Sequence, residues 1–153
     1  MLRVVPKGWL SRGFEILEDD RLVTTVRFVR STGAAEFTLG DATYAIRQEH
    51  PGYASWVLEI GGRAPARARS VRTLFRDSRV IEYAGRRYQL TSRSAFRRNL
   101  TVQEGVQFVG YIESERVFSK TLNACLPESL PLAVKVFIVA LAVNPWADQD
   151  EIM

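Results

Sequence analysis

The sequence predicts a mainly β domain: a closed antiparallel barrel of about twelve strands, built from hairpins around a buried hydrophobic C-terminal helix. Three observations carry that expectation. Turn-forming pairs recur at Asp19-Asp20, Gly40-Asp41, Gly61-Gly62, Ala84-Gly85 and Glu104-Gly105, with their second residues 21, 21, 23 and 20 apart. Apolar and polar residues alternate on both sides of each pair. Near the end of the chain one long run has no polar face at all.

Each turn pair marks a hairpin, because Gly, Asp and Asn tolerate the positive φ that tight two-residue turns demand. In the first hairpin Phe14 and Ile16 precede the turn, and Leu22, Thr24, Val26 and Phe28 follow it. Phe37 and Leu39 then lead to Tyr44 and Ile46, Ile81 and Tyr83 to Tyr88 and Leu90, and Leu100 and Val102 to Phe108. A period of two residues is that of a half-buried strand. Five hairpins supply ten strands, and the apolar segments Leu2–Val5 and Val117–Cys125 supply two more. Twice 21 residues matches a propeller blade, but three blades fall below the usual minimum of four. A closed barrel or a three-fold trefoil suits the count better, since both dispose of exposed edges.

Leu132 to Val143 is apolar at every position except Lys135, so a helix there has no polar side. Ser129 suits an N-cap and Pro131 the first turn, while Asn144-Pro145 is a stop signal. Such a helix lies in a core or in a membrane. Even Leu130 to Trp146 is only 17 residues, whereas a spanning helix needs about 20 apolar residues and a central Lys costs about 3 kcal/mol. Burial in a core is therefore expected, with Lys135 near a barrel mouth. A trefoil has no place for this helix. A barrel has one if its wall offers small residues, and Ala64, Ala66 and Ala68 alternate with Arg67 and Arg69 on the third hairpin. The whole reads as one domain over residues 1–146, with the helix near 130–144 and an acidic tail at 147–153.

Composition narrows the chemistry. With 46% hydrophobic and 25% charged residues the chain builds a core, which excludes disorder. One cysteine, Cys125, excludes a disulfide framework and Cys-rich zinc sites, and one histidine, His50, excludes schemes needing two imidazoles. Cys125 is expected to be a small buried apolar residue, His50 a surface residue in a loop, and Trp9 and Trp56 core. Asp19-Asp20 and Glu113-x-Glu115 read as turn and strand-end chemistry, and Asp148-Gln-Asp150-Glu151 as a frayed tail. No metal, cofactor or catalytic residue is expected, and the protein is not expected to be an enzyme. Met1 to Leu10 shows no apolar segment followed by a small-residue cleavage site, so a cytoplasmic location is expected.

The strand and helix motifs resemble the tubby C-terminal-like superfamily, which includes tubby proteins, phospholipid scramblases and LURP-one-related proteins. The resemblance covers essentially the whole chain and is greatest to bacterial LURP-one-related proteins. It rests on Trp9-Leu-Ser-Arg-Gly-Phe14-Glu-Ile16-Leu-Glu-Asp19, on the hairpins Phe37–Tyr44 (Phe-x-Leu-Gly-x-x-x-Tyr) and Glu82–Tyr88 (Glu-Tyr-x-Gly-x-x-Tyr), and on Leu126-Pro-Glu-Ser-Leu-Pro131 leading into the helix. What it implies is a barrel threaded by a helix. It also implies phosphoinositide binding through basic residues as in tubby members, or action at membranes as in scramblases, whereas the LURP-one group has no settled activity. These motifs are structural, so neither activity transfers residue by residue.

One feature of the charge points to a binding surface. Residues 63–98 hold eleven arginines against Asp77 and Glu82, a net +9 that leaves −5 for the rest. The candidate anionic-ligand residues are Arg67, Arg69, Arg72, Arg76, Arg86, Arg87, Arg97 and Arg98, since guanidinium groups hold phosphate oxygens in bidentate fashion. The competing reading is a solvated exterior, supported by a general bias of eighteen arginines against three lysines. Nucleic acid is disfavoured, because the aromatics alternate inward rather than lying among the basic residues. The expectation is a binding module for anionic lipid head groups such as phosphoinositides, peripheral at the inner membrane face. The alternative is a structural or protein-interaction scaffold.

Overall fold

The computed structural model describes residues 1–7, 13–29, 34–50, 54–72, 77–92, 99–116 and 120–143. Its strands are β1 (Leu2–Pro6), β2 (Gly13–Glu18), β3 (Arg21–Val29), β4 (Ala34–Leu39), β5 (Ala42–Gln48), β6 (Ser55–Ile60), β7 (Arg63–Arg72), β8 (Asp77–Tyr83), β9 (Arg86–Ser92), β10 (Leu100–Glu104), β11 (Gln107–Ser114) and β12 (Leu122–Cys125). One helix, α1, spans Leu132–Val143. Each strand pairs antiparallel with its sequence neighbours, and β1 pairs with β12 through Leu2↔Ala124 and Val4↔Leu122, which closes the barrel. No strand edge is left open.

Four of the five expected turns stand where the turn pairs place them, with φ of +51° and +61° at Asp19 and Asp20 and +55° and +79° at Gly61 and Gly62. The fifth lies one residue later. Gly105 takes the first turn position at φ +63° and Val106 the second, because Glu104 is still paired with Gln107. The corrected spacing to the preceding turn is 21, matching the first two intervals. The last strand is shorter than expected: of the segment 117–125, β12 takes only Leu122–Cys125, and residues 117–119 lie outside the described residues.

These five turns share one rim, because successive hairpins of an antiparallel barrel turn on the same side. The chain reaches the same rim at the end of β12, and α1 starts there. Leu130 N–H donates to the Pro127 carbonyl, and the Pro131 carbonyl accepts from both Val134 and Lys135 at 3.0 Å. Pro131 therefore holds the N-cap position that the sequence suggested for Ser129, which instead sits in the preceding turn. From there α1 runs down the lumen to the opposite rim. Ala133, Val134 and Val136 through Leu141 are buried, and Lys135 is half-buried in the first turn, at the mouth.

The wall accommodates the helix through residue size. The inward side chains of all twelve strands, from Leu2 and Val4 to Leu122 and Ala124, form one cluster with the helix residues. This ring combines large residues (Phe14, Phe37, Leu58, Ile81, Tyr88) with the small Ala35, Ala66, Ala68 and Ala124. The alanine strand β7 behaves as its sequence predicts, with Ala66 and Ala68 buried and Arg67 and Arg69 exposed. Ring contacts brace the first hairpins: Phe14 meets Phe28 at 5.7 Å between centroids, and Phe37 stacks on its register partner Tyr44 at 5.0 Å. Gly110 is required where a bulge shifts the β10–β11 register, since a Cβ there would run into the Cys125 carbonyl oxygen.

Arg79 fastens the far end of the helix. On β8 it shares the inward phase of Ile81 and stands in register between Ser70 and Leu90. Its guanidinium donates to the Leu141 carbonyl and lies 5.5 Å from the centroid of the Trp56 ring. Carbonyls in the last turn of a helix have no intrahelical partner, and the helix dipole is negative there, so a cation is the suitable cap. Trp56, only 5% exposed, shields the pair from water. A charge-assisted hydrogen bond contributes about 1.5–3 kcal/mol and a partly desolvated cation–π contact about 0.5–2 kcal/mol. The expected outcome for Arg79→Met is a loss of about 2 kcal/mol or more in urea unfolding at unchanged m-value, against about 0.5 kcal/mol or less for the exposed Arg69→Met. Equal effects of the two substitutions contradict the capping role.

Candidate functional site

Of the eight candidate arginines, three come together. Arg67 on β7 and Arg86 and Arg87 at the start of β9 line a groove of about 330 Å³ beside the Ala84-Gly85 turn, together with Glu82 and Tyr83. Register explains two of the three. Arg67 lies opposite Glu82, and Glu82 opposite Arg87, so these side chains form one outward row across β7, β8 and β9, whereas Arg86 stands in register with Tyr83 and Ala66 and lines the groove from the rim beside the turn. Arg69 is exposed but does not line the groove. Arg72 ends β7 at the other rim, five residues and roughly 16 Å of strand from Arg67. Arg76, Arg97 and Arg98 lie outside the described residues.

The groove is not a bare positive surface. Arg67 is ion-paired with Glu49, Arg86 holds Glu104 through two hydrogen bonds of 2.6 and 2.9 Å, and Arg87 lies 3.5 Å from Glu82. The hydrogen bond to Glu104 raises the Arg86 pKa further above its ordinary value. Similar pairs continue around the wall, with Arg47 on Glu59 at 2.5 Å, Arg27 on Glu36 at 2.9 Å and Arg3 on Glu115 at 3.2 Å. Exposed pairs of this kind are screened by water and stabilise the fold little. An arriving anion can therefore exchange with a glutamate at little cost, and each guanidinium keeps donors that its glutamate does not use.

Arg63 differs from these. It opens β7 next to the Gly61-Gly62 turn, is exposed, and has no carboxylate partner among the described residues. It lines a second cleft of about 410 Å³ at the barrel mouth, where Tyr44, Leu58, Tyr83 and Val134 surround the start of α1. Neither Arg63 nor Arg79 was singled out from the sequence. A signal for Arg79 existed: it stands two residues before the inward Ile81 and so shares its phase. Nothing in the sequence marks Arg63, because its position depends on where the helix enters.

The remaining reactive residues are dispersed. His50 is exposed. Cys125 is half-buried and not the buried core residue expected, because Leu122 and Ala124 take the inward phase of β12 and leave Cys125 on the outer face. Trp56 is core as expected, whereas Trp9, Trp146 and the acidic residues at 148–151 lie outside the described residues. Among the described residues no group of three His, Cys, Asp or Glu side chains is placed to hold a metal ion, and no helix is long and apolar enough to cross a membrane.

No family model, curated protein or solved structure matches this chain.

The wall pairs make a pH prediction. The hydrogen bond and charge of Arg47 hold the Glu59 carboxyl below its ordinary value despite some desolvation. A carboxylate whose folded pKa is depressed adds stability above its unfolded value of about 4.3, and that stability is lost as pH falls through the folded value. In an NMR titration Glu59 is expected to titrate below about 4.3 and to rise to the ordinary range in Arg47→Gln. An unchanged midpoint in the variant contradicts the pairing.

Proposed function

We propose that this barrel is a non-enzymatic binding module of tubby-like kind that docks peripherally on anionic lipid head groups, phosphoinositides among them, at the inner face of the cytoplasmic membrane. The observation that carries the reading is the convergence of Arg67, Arg86 and Arg87 on one groove. The filled lumen adds to it. A barrel packed with its own helix leaves only its rims and outer wall for a partner, and the groove is a concave part of that wall. Planar guanidiniums with spare donors suit the multiple oxygens of a phosphate.

A second reading is favoured by a different observation. Val57 faces outward yet is 1% exposed, flanked in register by Arg47 and Arg67, whose aliphatic stems are placed to cover it. On that reading the arginines and their glutamates tie the wall together, and the protein serves as a scaffold for a protein partner.

Co-sedimentation with vesicles separates the two. The docking reading expects pelleting with vesicles containing phosphatidylinositol bisphosphate, weakening as salt rises, with at least about a tenfold loss of affinity when Arg67, Arg86 and Arg87 are all replaced by Ala. Binding unaffected by the triple substitution, or absent at low salt, supports the scaffold instead.

A further inference from the structure

The arginine groove and the mouth cleft adjoin. Both are lined by Ala64, Pro65 and Tyr83, which form a lip with the groove on its outer side and the barrel mouth on its inner side. The two sides differ in chemistry. Arg67, Arg86 and Arg87 line the groove; in the cleft, Leu58, Ile60 and Val134 supply apolar wall, and Arg63 is the one charged lining residue.

The cleft follows from how the lumen is filled. Strand β7 presents alanines so that α1 can fit, but α1 begins only at Leu132, so beside its first turn Ala64 lines open space while Ala66 and Ala68 below it are buried. Leu58 and Val134 are almost completely buried in the cluster below, which gives the cleft an apolar base. A groove suited to phosphate, an apolar slot and a guanidinium with no carboxylate partner among the described residues complement a molecule that is anionic at one end and apolar at the other.

We infer that the site takes a single-chain anionic amphiphile, a monoalkyl or monoacyl phosphate, with its phosphate in the groove of Arg67, Arg86 and Arg87 and its chain over the shared lip in the mouth cleft, beside Arg63 and the start of α1. This rests on the anion-docking reading above and narrows it from a membrane surface to an individual amphiphile. The chain reaches only the mouth, because the lumen below is occupied by α1.

The test is calorimetric titration of the full chain with inorganic phosphate and with ethyl, butyl and octyl phosphate, each below its aggregation concentration. Each buried methylene is expected to tighten binding about fourfold, so octyl phosphate should exceed ethyl phosphate by on the order of 100-fold even if part of the chain stays in water. Ile60→Trp, which fills the cleft from a position that does not line the groove, should flatten the chain-length series while leaving inorganic phosphate binding in place. Arg86→Ala with Arg87→Ala should weaken every phosphate in parallel. A measurement on the unaltered protein guards against a misfolded variant: octyl phosphate, but not inorganic phosphate, should shift the methyl resonances of Leu58, Ile60 and Val134. Equal affinity for ethyl and octyl phosphate, or octyl-induced shifts confined to the groove, overturns the amphiphile while leaving head-group docking intact. Failure of every phosphate and of anionic vesicles to bind removes the docking reading and this inference together.

Discussion

The structure depends on the burial of α1 in the lumen. A twelve-strand barrel encloses more space than its own side chains fill, and an unfilled lumen leaves apolar wall facing water or void. A helix with no polar face has the complementary problem, since no surface position can hide it. Each element removes the exposed area of the other. Large side chains buried this way contribute about 1.5–3 kcal/mol apiece, and Phe137, Ile138 and Leu141 are fully buried. The alanines of β7 are part of the same solution, because a larger residue there would collide with the helix.

Burial of the helix also fixes where polar chemistry can occur. The last-turn carbonyls would lack partners inside an apolar lumen, and Arg79 on Trp56 answers that need at one rim. At the other rim the helix starts short of the wall and leaves a cleft that adjoins the arginine groove. Closure of the sheet leaves no edge for strand addition, so recognition falls to the rims and the outer wall. There the arginines serve two roles at once: their pairs with Glu49, Glu82 and Glu104 link strands of the wall, and their unused donors remain for a partner.

Much of the fold was legible because local chemistry and global closure agree. Turn residues set the hairpins, alternation set the faces, and the run from Leu132 to Val143, apolar except at Lys135 and short for a membrane span, pointed to a core helix. The slip at Glu104-Gly105 has a local cause: with one glycine, the sequence does not say whether it takes the first or the second turn position. Cys125 was misplaced for a related reason, since its chemical character suggested burial while the phase of Leu122 and Ala124 sends it outward. The candidate site was only partly legible. That Arg67 and Arg87 share a row with Glu82 follows from strand register, and Arg86 meets Glu104 across neighbouring hairpins. Sequence alone showed a net positive block and could not show that three of its charges are balanced in place. The inward Arg79 was readable from phase, but an arginine in a basic block invites a surface assignment.

Native-state amide hydrogen exchange of Val136–Leu141 tests the burial of the helix most directly. If α1 is the filling of the barrel, it cannot leave without exposing the whole wall, so its amides should exchange only through global unfolding, with the same free energy as the central strands and the same sensitivity to denaturant. Exchange of these amides at a markedly lower free energy than those of β2 and β8 would show a helix that departs from an intact barrel, and would contradict the account.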